Sequence, residues 1–191
     1  MTSGILVIMA AESTMLPLGT PIPDFTLPDP AGALHGPGDH ADAPGVLVIF
    51  ACNHCPYVVH VGPELGRQAK GWMDQGIAIL AVNPNDARAY PDDAPERMPG
   101  FAAANGWTFP YLVDESQDVA RAYQAACTPD FFLFGRDRTL AYRGRFDASR
   151  PGSATPLTGE DVGAAISAVL TGTPVPERQL PSIGCSIKWK E

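Results

Sequence analysis

The feature that most constrains this chain is the run Gly45-Val-Leu-Val-Ile-Phe-Ala-Cys-Asn-His-Cys-Pro-Tyr-Val58, an apolar stretch that ends in two cysteines separated by two residues. Unbroken rather than alternating hydrophobicity predicts a strand buried on both faces, as in a sheet covered by helices. Val58, Val61, Leu65, Ala69 and Trp72 recur at helical spacing, so an amphipathic helix should follow at once, with an interruption or kink at Gly62-Pro63. Cys52 and Cys55 then fall at a strand-to-helix junction. Backbone N–H groups are unpaired there and the helix end carries partial positive charge, which favours a thiolate over a thiol. Cys52 is the expected nucleophile. Cys55, about one turn further on, would close a small disulfide ring and expel whatever Cys52 has captured.

The same spacing admits other chemistry. A zinc half-site also reads Cys-x-x-Cys but needs a second ligand pair, whereas the remaining cysteines, Cys127 and Cys185, stand alone. A pair of inert buried thiols is the third reading.

Only four cysteines in 191 residues cannot make a disulfide scaffold, so packing must hold the fold, and a 45% hydrophobic composition supplies the core. We divide the chain into an N-terminal extension (1–17), one domain (18–172) and a C-terminal tail (173–191). A formal charge of −8 argues against nucleic acid or anionic membrane as a partner. It leaves disulfide-containing proteins or small molecules, with a cellular thiol as reductant. Ile5–Met9 is apolar but lacks a charged flank and is followed by Glu12, so neither a signal peptide nor a membrane span is expected, and a cytoplasmic setting is the default. Met9 and Met15 are alternative starts.

In chain order, Pro21–Pro28 reads as a short edge strand between prolines. Gly76–Val82 is a second buried strand ending in Asn83-Pro-Asn-Asp86, which either lines a cleft or forms a turn. A loop and short helix follow over 90–105, then an extended Phe109–Val113 and a helix over Asp114–Ala126. Cys127-Thr-Pro-Asp leads into a hairpin pairing Phe131–Phe134 with Thr139–Arg145, and Gly159–Leu170 is a closing helix. His60 is either a proton carrier near the thiols or a surface histidine.

This order, α/β with a central mixed sheet flanked by helices, resembles the thioredoxin fold over about residues 18–172. In that superfamily a cis proline ahead of the hairpin lies against the two cysteines, and the backbone before it pairs with bound substrate; Thr128-Pro129 matches that motif and inherits substrate binding. Pro21-Ile-Pro-Asp-Phe-Thr-Leu resembles the opening hairpin of the redoxin and peroxiredoxin branch. Cys-Asn-His-Cys-Pro-Tyr-Val, Phe-Pro-Tyr-Leu, Cys-Thr-Pro-Asp-Phe-Phe and the tail Pro-Ser-Ile-Gly-Cys-Ser-Ile-Lys-Trp-Lys are similar to a peroxiredoxin-like group within it. The resemblance implies a thiol-disulfide oxidoreductase working through Cys52 and Cys55 without an organic cofactor.

Peroxiredoxins carry a threonine or serine three residues before the reactive cysteine and a proline four residues earlier still. This chain has Ile49 and Gly45, so peroxide reduction should at most be weak. Thioredoxin's buried aspartate is replaced by Val46. Protonated His54 would stabilise the Cys52 thiolate and raise the potential above thioredoxin's, towards about −200 mV. Cys127 and Cys185 are accessory redox candidates: Cys185 as a resolving thiol for Cys52 or a partner of Cys127, or both as buried apolar residues. Convergence of all four thiols with His54 would instead give a soft-metal or iron–sulfur site. A domain used only for docking is the remaining alternative.

Overall fold

The computed structural model describes residues 10–191; the apolar run Ile5–Met9 and the alternative start at Met9 lie outside the described residues. The core is a five-stranded sheet in the order β6-β5-β4-β8-β9, made of Tyr111–Val113, Ala78–Asn83, Val46–Phe50, Asp130–Phe134 and Leu140–Gly144. The central strand β4 runs parallel to β5 and antiparallel to β8. It is apolar throughout because it is buried throughout. Leu47 and Ile49 pack under helices α1 (Pro56–Asp74) and α4 (Glu160–Thr171), while Val46, Val48 and Phe50 join an aromatic cluster with Tyr123, Phe132 and Phe134 on the other face.

Helix α1 is continuous through Pro63, so the chain is not interrupted there. The N–H that proline lacks would have met the carbonyl of Val59, a residue 50% exposed, so the carbonyl left without that donor lies on the solvent side of the helix. Gly62 and Gly66 let the segment around Asn105 lie against the helix, and a Cβ on Gly66 would collide with the Asn105 carbonyl oxygen. Trp107 Nε1 donates to the Gly62 carbonyl at 2.9 Å. The helix expected over 114–126 is shorter, α3 at Asp118–Ala122, because Gln117 and Gln124 take positive φ at its two ends. Helix α2 occupies Met98–Ala104. Of the proline-rich stretch from Pro21, only Leu27–Pro28 (β2) forms a strand, paired with Leu34–His35 (β3), since Pro21 and Pro23 lack ladder donors.

A second, smaller sheet positions the site. Ala10–Glu12 (β1) and Cys127–Thr128 (β7) flank Ile183–Ser186 (β10), both antiparallel to it. The tail is tied down further along its length. The Ile187 N–H donates to the Ala126 carbonyl (3.1 Å), the Lys188 N–H to Asn85 Oδ1 (2.9 Å) and Gln117 Nε2 to the Lys188 carbonyl (2.8 Å). The Arg121 guanidinium lies 4.5 Å from the Trp189 ring centre. No helix among the described residues is long and apolar enough to cross a membrane.

Candidate active site

Beyond Phe50 the chain leaves the sheet, with the Ala51 N–H still bonded to the Val82 carbonyl, and turns through Cys52-Asn-His-Cys into α1. Cys55 is the residue at which the helix begins, with Pro56 in its first position. Cys52 therefore stands before the helix rather than on its first turn. Both sulfurs are buried, and the Thr128-Pro129 peptide, which is cis, lies against them. The Thr128 hydroxyl is 3.3 Å from Cys52 Sγ, and the Thr128 carbonyl oxygen accepts from Cys55 Sγ at 3.1 Å. The hydroxyl that Ile49 and Gly45 cannot supply thus reaches Cys52 from the opposite loop.

Cys185, an accessory redox candidate from the sequence, joins the group through a partner that was not foreseen. Its register partner in the small sheet is Thr128, and its Sγ is 2.7 Å from Cys55 Sγ. Neither pairing foreseen for Cys185, with Cys52 or with Cys127, is the contact formed. Cys127 sits on the other face of β7, because neighbouring residues of a strand point to opposite sides. Its sulfur faces the carbonyls of Pro129 and Ser182, at 3.8 and 4.0 Å.

Among the three clustered thiols, Cys55 is the one whose pKa is lowered. The Cys185 and Cys52 thiols hold its pKa far below the usual thiol range, outweighing burial, and the N–H groups of Val58 and Cys185 add to the effect. Cys52 and Cys185 are pushed up, each first by sharing its proton with Cys55 and then by burial. The helix contributes to this shift through the Val58 N–H of its first turn, behind the two neighbouring thiols.

The two residues between the cysteines are held by Asp93, which sequence reasoning placed only in a loop. Its buried carboxylate accepts the N–H groups of Asn53 (2.8 Å) and His54 (3.2 Å) and the side-chain amide of Asn85 (2.7 Å). Asp93 Oδ2 also lies 2.7 Å from His54 Nδ1. Tyr111 donates to Asn53 Oδ1 at 3.1 Å. The Asn83–Asp86 turn serves this clamp, since Asn83 Nδ2 donates to the Asp93 carbonyl at 3.0 Å. The His54 ring stacks on Tyr90, and its pKa is raised chiefly by the hydrogen bond to Asp93. That same carboxylate raises the pKa of Cys52, so the positive field expected from His54 is offset by its own partner. His60 Nε2 lies 3.0 Å from Ser149 Oγ, and the residue lines a small cavity with Pro129, Ser182 and Ile183.

The four-thiol metal arrangement does not form, since Cys127 faces away. Among the described residues the group with metal-type spacing is Cys52, His54 and Asp93, whose ligand atoms lie within 4.8 Å of one another. Asp93 is already engaged by the loop it holds.

A family model described as AhpC/TSA matches residues 18–143. The chain belongs to the AhpC/TSA family. It is a member of the redoxin, peroxiredoxin-like branch of the thioredoxin-fold superfamily, and the family match ends before the tail that carries Cys185. The thiol-disulfide oxidoreductase ResA of Geobacillus kaustophilus is 29% identical over 126 residues, 66% of this chain and 68% of ResA. An uncharacterized conserved protein from the same species has a solved structure with 50% identity and a TM-score of 0.93, covering 97% of this chain and 98% of that one. The thioredoxin domain of a thiol-disulfide oxidoreductase from Bacteroides vulgatus superposes with a TM-score of 0.59 at 18% identity, covering 79% of this chain and 99% of that domain. That likeness gives the fold: this AhpC/TSA protein is a thioredoxin-like α/β domain. The family match and the ResA relative make it an oxidoreductase.

Proposed function

We propose that this oxidoreductase exchanges thiols and disulfides through Cys52 and Cys55. Cys52 attacks a substrate disulfide to form a mixed disulfide; Cys55 attacks Cys52 Sγ, releases the reduced substrate and leaves a Cys52–Cys55 bond. Run backwards, the same steps oxidise a dithiol. The observation that carries this reading is the placement of both sulfurs against Thr128-Pro129, with the Thr128 hydroxyl 3.3 Å from Cys52 and its carbonyl 3.1 Å from Cys55. The hydroxyl can donate to a thiolate as Cys52 loses its proton, and Thr128 lowers the Cys52 pKa against the stronger opposing effects. A low-pKa Cys55 is the attacking group of the second step.

The substrate is a disulfide-bearing protein or small molecule, and a thiol reductant resets the pair. Cys52 is fully buried while Asn53 and His54 are partly exposed, so productive encounter includes displacement of this two-residue segment. The backbone edge of β7 is already paired with β10, which limits any role of Thr128 and Pro129 in holding a substrate strand to what is left free beside them.

Catalysed reduction of a protein disulfide by dithiothreitol, followed on the full chain, tests the assignment. Cys52→Ser should lose activity by more than about 100-fold, as expected for removal of a nucleophile. Cys55→Ser should accumulate a mixed disulfide on Cys52. Wild-type rates in Cys52→Ser would overturn the reading.

A further inference from the structure

The contact between Cys55 and Cys185 joins residues 130 positions apart in the chain, and nothing in a Cys-x-x-Cys exchange calls for it. Three arrangements of the fold produce it. First, β10 is pinned on both sides, by β1 and by β7, in a register that sets Cys185 opposite Thr128. Second, Gly184 lets the tail backbone lie directly on the cis-proline loop, where a Cβ would collide with the Thr128 carbonyl oxygen. Third, the residues after β10 are fastened to Ala126, Asn85 and Gln117, so the strand is a fixed wall of the site. Cys55 thus has a thiol on either side of it: Cys52 in its own turn and Cys185 in the tail. The sulfur separation of 2.7 Å brings Cys185 to within reach of a covalent bond, whose length is about 2.05 Å.

We propose that Cys185 is a third redox thiol that takes Cys55 over from Cys52, so that the oxidised protein rests with a Cys55–Cys185 disulfide and a free Cys52. The proposal builds on the dithiol exchange above. Once a substrate has been reduced and Cys52–Cys55 has formed, Cys185 gives up its proton and its sulfur attacks Cys55 Sγ. The Cys55–Cys185 bond forms as the Cys52–Cys55 bond breaks, and the electron pair leaves on Cys52. Cys52 takes up a proton, with the Thr128 hydroxyl as the donor in contact with its sulfur. The number of disulfides is unchanged and no outside oxidant or reductant enters this step. Both Cys52 and Cys185 hold their protons tightly in the reduced cluster, so the transfer exchanges one protonated flanking thiol for the other.

The consequence is a division of labour. Cys52 meets the substrate, Cys55 is the shared centre, and Cys185 stores the disulfide on the side away from the substrate. A reductant then reaches the stored bond by way of Cys52, through the reverse exchange.

The test uses the full chain equilibrated in a glutathione buffer that leaves one disulfide per molecule. Free thiols are alkylated at acid pH, and the protein is digested with trypsin without reduction. Cys52 and Cys55 share the peptide that ends at Arg67, since no lysine or arginine precedes it, and Cys185 lies in Gln179–Lys188. The expected product is these two peptides cross-linked, with the alkyl group located on Cys52 by fragmentation. In Cys185→Ser the cross-link is lost, Cys52 becomes protected and the alkyl group disappears from the first peptide. A wild-type digest with the disulfide closed inside the first peptide and Cys185 alkylated would overturn the third-thiol role while leaving the dithiol exchange intact. A digest with both Cys52 and Cys55 alkylated under oxidising conditions would overturn both.

Discussion

Cys127 and Cys185 are the same residue type, in adjacent strands of one small sheet, and both are buried, yet they live in different chemistry. Cys185 shares a face with Thr128 and looks onto Cys55. Cys127 shares the opposite face with Asp130 and Ser13, where burial and then the Asp130 charge push its thiol well above the usual range. The sheet register alone, Cys185 against Thr128 and Ser186 against Cys127, sends one sulfur to the reacting pair and the other to a closed polar pocket. Burial by itself therefore says little about whether a cysteine is inert. What decides is the next sulfur: Cys185 has one at 2.7 Å, whereas the atoms facing Cys127 are carbonyl oxygens.

The largest effect expected from this contrast lies on the closed side. Asp130 accepts from Ser13 Oγ at 2.6 Å, its second oxygen is buried without a partner among the described residues, and burial raises its pKa from 3.8 to about 7. An acid whose folded pKa is raised keeps its proton longer in the native state. Its contribution is complete below pH 3.8 and is lost as pH rises towards 7, at most about 4 kcal/mol over that window. His54, also raised, loses its own contribution as pH rises through its folded pKa, so the wild-type slope alone does not isolate Asp130. The difference between Asp130→Asn and wild type does. Urea midpoints at pH 5, 6, 7 and 8 should show the variant gaining on the wild type as pH rises; a constant difference would mean that Asp130 is ionised throughout.

On the reacting side the sharpest probe is Gly184→Ala. The added Cβ meets the Thr128 carbonyl, which is backbone and cannot swing aside, so β10 must move off β7. Overpacking of this kind costs about 1–3 kcal/mol, seen as a melting temperature lower by roughly 2–10 °C. The Cys55–Cys185 cross-link should fall with it while Cys127 stays unreactive. A variant with wild-type stability and cross-linking would show that the tail does not depend on this close approach.

The centre of this site is legible in the chain because its signals are local. An apolar run ending in Cys-x-x-Cys defines β4 and the start of α1, and Thr128-Pro129 ahead of an apolar hairpin marks the loop that meets them. Asp93 is not legible in the same way. It lies in a short loop without periodicity, and its task becomes visible only when β5 delivers Asn83 and Asn85 to the same end of the sheet as Cys52. The Cys55–Cys185 contact depends on a strand register between β7 and the tail that no local pattern encodes. The one trace is Gly184 beside Cys185, since a glycine inside a strand often marks the close approach of another backbone. The lowering of the Cys55 pKa follows first from its two thiol neighbours, one of them brought by the tail, so the sequence around Cys-x-x-Cys alone does not reveal it.

The smallest effect tests the contrast from its inert side. Cys127→Ala removes one sulfur from a packed position and adds no polar group, so the expected cost is about 1 kcal/mol, or a few degrees in melting temperature. Disulfide-reduction rates should stay within about twofold of wild type, since the Cys127 side chain touches none of the other three sulfurs and most rate effects in such exchange come from the attacking and leaving thiols. Alkylation of the native wild-type protein, followed site by site, should leave Cys127 unmodified long after Cys55 has reacted, because a thiol whose pKa is raised by burial offers almost no thiolate whereas that of Cys55 is lowered. Should Cys127 be found in a disulfide with Cys185 under the glutathione conditions used above, the two faces of β7 would have to exchange places during turnover. The register of the small sheet, rather than any one cysteine, would then be the element that moves.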